Sequence, residues 1–249
     1  MTPVMAASVP ILVTGGCGFI GVNLARALVA NGQRAWAFDN LSTGSEADGV
    51  AAGFERVIHG DVRDAAAISA AVAGVETVVH LAAHPGVADS VADPRHDFEI
   101  NVVGTLNTLL AARDAGVGRF VFASSNAPLG DAEPPAREDV VPRPRSPYGA
   151  SKLSCEAMCS AFAGSYGLAS TVLRFSNVYG PFSYHKGSVV ALFMKRVLDG
   201  LPVVVYGDGS QTRDFVFIGD LCSGIVAAID RAPAGETYHL GTGIETSLS

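Results

Sequence analysis

Tyr148 and Lys152 stand one helical turn apart in the run Ser-Pro-Tyr-Gly-Ala-Ser-Lys that covers positions 146–152. A tyrosine titrates near ~10 and is a poor base at neutral pH. A lysine four residues on shares its helix face, and its cation, with any further positive charge beside the ring, favours the phenolate. Bringing the phenol to about 7 takes roughly 4 kcal/mol of differential stabilisation, which nearby charges in a partly dry site can supply. Ser125 ends a strand-like run and offers a hydroxyl to a substrate or to the phenol. Ser124 is the alternative, because successive strand residues face opposite ways. Alone, a tyrosine–lysine pair at this spacing is most often a surface feature.

The start of the chain gives the pair its meaning. Ile11–Thr14 is a short apolar strand, followed by Gly15, Gly18 and Gly21 and by an apolar helix from Ile20 to Ala30. Glycines in this order serve a tight turn, close approach to a pyrophosphate and helix–strand packing. The helix that opens near Phe19 presents free N–H groups to phosphates. Asp39 ends the next strand, where a carboxylate accepts ribose hydroxyls and repels a 2′-phosphate, so NAD is expected rather than NADP. Asp61 ends a third strand and reads either as an adenine contact or as a turn and capping aspartate. His80-Leu81-Ala82-Ala83 ends a fourth with small residues that let backbone lie close to a cofactor. Asn101 is either a buried polar bridge or a surface residue.

Strand and helix patterns alternate around these positions. Strands are expected at Arg34–Phe38, Arg56–His59, Val75–Leu81, Arg119–Ala123 and Ser170–Arg174. Helices are expected over Ala65–Ala73 with Asp64 as its cap, from Asp97 to Ala115, and from Tyr148 to Tyr166. Apolar strands separated by helices imply an α/β fold with a doubly wound parallel sheet covered on both faces. The pattern loosens after Arg174, with a helix at Ser188–Leu198, a short strand at Val203–Tyr206 and a polar turn at Gly207–Gln211. That stretch reads as an insertion at the carboxyl edge of the sheet.

Composition narrows the function classes. The 249 residues carry a net charge of −7 and only 16% charged side chains. Without a Lys/Arg block, nucleic acid and anionic membrane are unsuited partners. No uninterrupted apolar stretch of about 20 residues offers a membrane span. The uncharged first 25 residues lack the basic start of an export signal and end in a glycine turn, so a cytoplasmic protein is expected. Cys155 and Cys159 share a helix face but lack a second ligand pair, so no metal site is expected and the four cysteines read as small buried residues.

Together these motifs resemble the extended short-chain dehydrogenase/reductases, and within them the nucleotide-sugar epimerases of the UDP-glucose 4-epimerase type. The likeness spans essentially the whole chain, through Thr14–Gly21, Asp39–Gly44, Gly60–Val62, His80–Ala83, Asn101–Thr105, Ser146–Lys152, Arg174–Pro181 and Tyr206–Phe215. It implies a Rossmann-like NAD domain over residues 1–175 and 216–241. Residues 176–215 and 242–249 would form a small, partial lobe for the sugar nucleotide. By position, Gly15, Gly18, Phe19, Ile20, Gly21, Asp39, Asn40, Ser42, Thr43, Gly44, Asp61, Val62, Leu81, Ala82, Ala83, Asn101 and Ser124 would surround NAD, with Tyr148 and Lys152. Ser125, Tyr148 and Lys152 would be the catalytic set. Ser125, Asn177, Lys186, Gly187, Ser188, Val189, Tyr206 and Arg213 would hold a UDP-sugar, Arg213 as a bidentate phosphate ligand. The resemblance also implies a homodimer through the helices near 97–115 and 148–166; ordinary packing against the sheet is the alternative use of those faces.

Three departures bear on specificity. Asn126-Ala-Pro-Leu-Gly130 replaces a pattern that usually ends Val-Tyr-Gly, reshaping the wall near the sugar. His84 stands where glutamine is common. The sequence stops at Ser249, where relatives continue with a segment that completes the sugar pocket and supplies a second arginine. Sugar-nucleotide 4,6-dehydratases and decarboxylases carry an acid beside the catalytic hydroxyl, and Asn126 and Ala127 supply none. A net 4-keto reductase would need an exchangeable reduced cofactor, and a non-catalytic NAD-binding protein would need no intact Ser125/Tyr148/Lys152 set.

Overall fold

The computed structural model describes residues 9–184, 186–205 and 207–248. In chain order its strands are β1 (Ile11–Thr14), β2 (Ala35–Asp39), β3 (Arg56–His59), β4 (Thr77–His80), β5 (Arg119–Ser125), β6 (Ala169–Phe175), β7 (Asn177–Tyr179), β8 (Thr212–Arg213), β9 (Phe215–Phe217), β10 (Thr237–Leu240) and β11 (Thr246–Ser247). The helices are α1 (Phe19–Ala30), α2 (Glu46–Ala52), α3 (Ala65–Val72), α4 (Val87–Ala92), α5 (Pro94–Phe98), α6 (Gly104–Asp114), α7 (Pro147–Tyr166), α8 (Val189–Leu198) and α9 (Ile218–Arg231). The large sheet runs β3-β2-β1-β4-β5-β6-β10, parallel throughout. This is the doubly wound architecture, with its reversal of strand order between β1 and β4.

Alternation along the strands builds two cores. Val13 of β1 packs toward one side with Leu24 and Leu28 of α1 and Leu221 and Ile225 of α9. Its neighbour Leu12 turns the other way, toward Ile68 of α3, Leu109 of α6 and Phe162 of α7. Both faces of β1 and β4 are therefore buried, and neither strand alternates between apolar and exposed polar residues. Cys17, Cys155, Cys159 and Cys222 are all free and buried.

Two elements differ from expectation. The helix expected over 97–115 comprises α5, a wide π-turn at Glu99–Val103 and α6. Residues 203–205 form no strand: the three valines there are exposed, and β propensity without a pairing edge does not make a strand. The segments after β6 and β10 instead make two small pairings, β7 with β9 and β8 with β11. Among the described residues no helix is long and apolar enough to cross a membrane.

Candidate active site

Local turns bring Ser125 and Tyr148 together. Ser146 caps α7, its Oγ accepting from the Gly149 N–H at 3.1 Å, with Pro147 in the first turn. The Tyr148 N–H donates to Ser90 Oγ at 3.1 Å, tying α7 to α4. A Cβ on Gly149 would lie 2.6 Å from the Ala127 carbonyl oxygen, so glycine lets α7 close against the turn after β5. The Ser125 hydroxyl accepts from the Ala127 N–H at 3.2 Å and faces the Tyr148 phenol, favouring its ionised form. Ser124 points to the opposite face, where its hydroxyl donates to Glu156 Oε1 at 2.5 Å. Glu156 is in turn paired with buried Arg174 at 2.7 Å. Of the two serines, Ser125 reaches the phenol.

The electrostatics of the protein alone favour the neutral phenol. Burial pushes the Tyr148 phenol up to about 12, against the Ser125 hydrogen bond, and Asp97 pushes it further. Lys152 does not bring it near 7 in the protein alone. The ammonium lies 6.0 Å from the phenol ring centroid and donates to the Ala123 carbonyl at 2.8 Å, with the Phe122 ring 4.8 Å away. Burial draws the lysine's own pKa down.

The glycine turn has the shape of a dinucleotide cradle. Gly15 sits at φ 66°, and a Cβ there would meet the Ala82 N at 2.8 Å. Gly18 caps α1 without any side-chain hydrogen bond, leaving the first N–H groups of Phe19, Ile20 and Gly21 for a ligand. A cavity of about 130 Å³ opens beside them, lined in part by Cys17, Thr43 and Gly44. The Asp39 carboxylate accepts from Cys17 N–H at 2.9 Å and Leu41 N–H at 2.8 Å, bracing the turn and keeping lone pairs for ribose hydroxyls. These residues fit NAD.

Other expected cofactor residues are further back. Asp61 is held by Arg63 at 2.7 Å and by Asn40 Nδ2 at 3.1 Å, and these bonds keep its carboxyl well below the usual range. Ser42 N–H donates to Asn40 Oδ1, and Val62 is buried against Gly104. Leu81 and Ala82 donate to Thr14 through the carbonyl and Oγ1 respectively, and Ala83 follows them into the loop. Asn101 is the buried bridge: Oδ1 accepts from His84 N–H at 2.8 Å, and Nδ2 reaches His84 O and Asp97.

On the substrate side, the Asp214 carbonyl accepts from the Asn177 N–H at 3.0 Å, and its carboxylate binds Thr242 and Gly243. Arg213 on exposed β8 donates to Thr212 O at 2.7 Å. Ser188 and Val189 begin α8, after Gly187, while Lys186 turns toward α1. Tyr206 lies outside the described residues. Sequence reasoning missed buried Asp97, which accepts from Asn101 and from Ser151 Oγ at 2.5 Å. The helical spacing of Asp97, Asn101 and Thr105 was a signal for it. Asn126 is turned away from the site, its amide meeting Ser176 Oγ at 3.1 Å and His239 Nδ1 at 3.2 Å.

Residues 11–241 match the NAD dependent epimerase/dehydratase family. The UDP-glucose 4-epimerase of Mycolicibacterium smegmatis is 38% identical over 246 residues, covering 95% of this chain and 78% of that protein. A dTDP-glucose 4,6-dehydratase from an Actinoplanes species is 34% identical over 249 residues, covering 95% and 78%. Among solved structures, the Thermus thermophilus UDP-glucose 4-epimerase in complex with NAD superposes with a TM-score of 0.89 at 39% identity, covering 96% and 79%.

Proposed function

The chain belongs to the NAD-dependent epimerase/dehydratase family, and from that premise we propose that it inverts a UDP-sugar at C4 through a transient 4-keto sugar. It is a nucleotide-sugar-modifying enzyme whose cofactor is NAD. The observation that carries the epimerase reading over the dehydratase one is the stretch after Ser125. Asn126 has its amide engaged by Ser176 and His239, and Ala127 is a methyl, so no carboxylic acid stands there to drive loss of water.

In this reading Ser125 orients the C4 hydroxyl and Tyr148 takes its proton, then returns one to the C4 oxygen once the ketone has presented its other face to the returning hydride. Bound NAD supplies a reversible hydride acceptor and a positive ring. The phenol, held at about 12 by burial, needs that added positive charge to act near neutral pH, because an opposite charge favours the ionised form. Lys152 holds the end of β5 through Ala123 and adds its cation. Asn177, Gly187, Ser188, Val189 and Arg213 contribute to the sugar-nucleotide side, within a lobe of residues 176–215 and 242–249. A homodimer is proposed through α6 and α7, where Ala150, Ser154, Ala157 and Ala161 are exposed along one face of α7. With NAD as cofactor and four free, buried cysteines, we assign the enzyme to the cytoplasm.

Incubating the purified protein separately with UDP-glucose, UDP-N-acetylglucosamine and UDP-glucuronate, followed by mass-resolved chromatography, tests this reading. A new peak of unchanged mass is expected with one of them. Loss of water or carbon dioxide would instead assign a dehydratase or a decarboxylase.

A further inference from the structure

The resemblance groups Lys186 with the sugar-nucleotide site, but its ammonium lies 4.9 Å from the centroid of the Phe19 ring, the first residue of the cofactor helix α1. It reaches the Val178 carbonyl only at 3.4 Å. The loop that carries it is fastened to α1 at two more points. Asn23 Nδ2 donates to both Phe19 O at 2.8 Å and Pro181 O at 3.0 Å. The Arg26 guanidinium stacks 4.6 Å over Phe182, which is held at φ 67°, a strained conformation for a bulky residue. Phe182 and Tyr184 also wall the cavity whose opposite side is Gly18, Phe19 and Thr43.

Lys186 is mostly buried, and that burial draws its pKa down. Among the described residues no carboxylate pairs with it. A buried cation is costly without an anion, and this one adjoins a helix N-terminus that is itself positive and uncapped. One long carbonyl contact and an aromatic face offset only part of that cost. A doubly charged group between the ammonium and the α1 amides would satisfy both.

We infer that Lys186 is a phosphate-binding residue of the cofactor site, pairing with the diphosphate of NAD rather than with that of the sugar nucleotide. The segment that carries Phe182 and Lys186 then straps the dinucleotide onto α1. This rests on the reading of Gly15–Gly21 as the dinucleotide turn.

The test compares wild type, Lys186→Gln and Lys186→Arg. NAD release from the loaded proteins is followed by trapping free NAD, and UDP binding to the NAD-loaded proteins is followed by calorimetry. K186Q should release NAD about tenfold faster, as expected for losing one charge-assisted hydrogen bond, with UDP affinity unchanged. K186R should release it more slowly than K186Q. Without cofactor, K186Q should melt no lower than wild type, since it removes an unpaired buried cation. Unchanged NAD release in K186Q overturns the inference, and so does a fall in UDP affinity with NAD release unaltered. A lower melting temperature with unaltered NAD release would make Lys186 a structural residue and also overturn it. Wild-type protein that holds no NAD would overturn the functional reading as well, whereas retention by wild type and K186Q alike overturns this inference alone.

Discussion

Removing only the phenolic oxygen of Tyr148 should cut kcat by about 10²–10⁴-fold, the range for loss of a positioned acid–base group, while NAD and UDP still bind. Turnover and calorimetry on Tyr148→Phe check this, and near-normal turnover would remove Tyr148 from the chemistry. The state of the phenol is separately testable by ultraviolet difference titration. In the cofactor-free protein its phenolate should appear only as pH approaches about 12. With oxidised NAD bound it should appear at lower pH, because the nicotinamide ring is positive. Identical titrations would mean that the cofactor does not tune the base. The Tyr148/Lys152 spacing was legible in the sequence because helical neighbours are local. The depth at which α7 buries the phenol was not, because it depends on tertiary packing.

Element positions were legible where periodicity and capping agree. Asp64 caps α3 with its carboxylate accepting from Ala66 and Ala67, and β1, β4 and β5 fall where the apolar runs predict. The π-turn at Glu99–Val103 left no local signal, since its cause is tertiary: Asn101 must reach the His84 backbone. His80 shows how the elements are locked. Its ring meets Thr14 Oγ1 at 2.8 Å and Thr105 Oγ1 at 3.1 Å, joining β1, β4 and α6. Burial, helped by the Lys152 charge, lowers its pKa from 6.5 to about 3, so it stays neutral in the fold. The unfolded chain binds that proton more readily. His80 therefore supports the fold above its ordinary pKa, and that support is lost as pH falls from 6.5 toward about 3. His80→Leu should cost about 1–3 kcal/mol at neutral pH by leaving the Thr14 O–H without an acceptor. It should also flatten the acid limb of the stability curve, as denaturant melts across pH would show.

At the scale of the molecule, the doubly wound parallel sheet was readable from the alternation of strands and helices, whereas the pieces after β6 and β10 were not. Among the described residues those pieces pair with one another, β7 with β9 and β8 with β11, and such short partners leave little periodicity. The proposed dimer belongs to this scale. Ala157→Glu on the exposed face of α7 should convert the protein to a monomer in sedimentation equilibrium, because the change would bury a charge between helices; an unchanged assembly would move the interface elsewhere. The central claim, inversion at C4 by removal and return of one hydride, is tested most directly with UDP-glucose carrying deuterium at C4. If UDP-glucose is the substrate found, the predicted result is conversion to the C4 epimer with the deuterium retained at C4 and no label taken up from solvent. Loss of that deuterium to solvent, or a product lighter by one water, would contradict it.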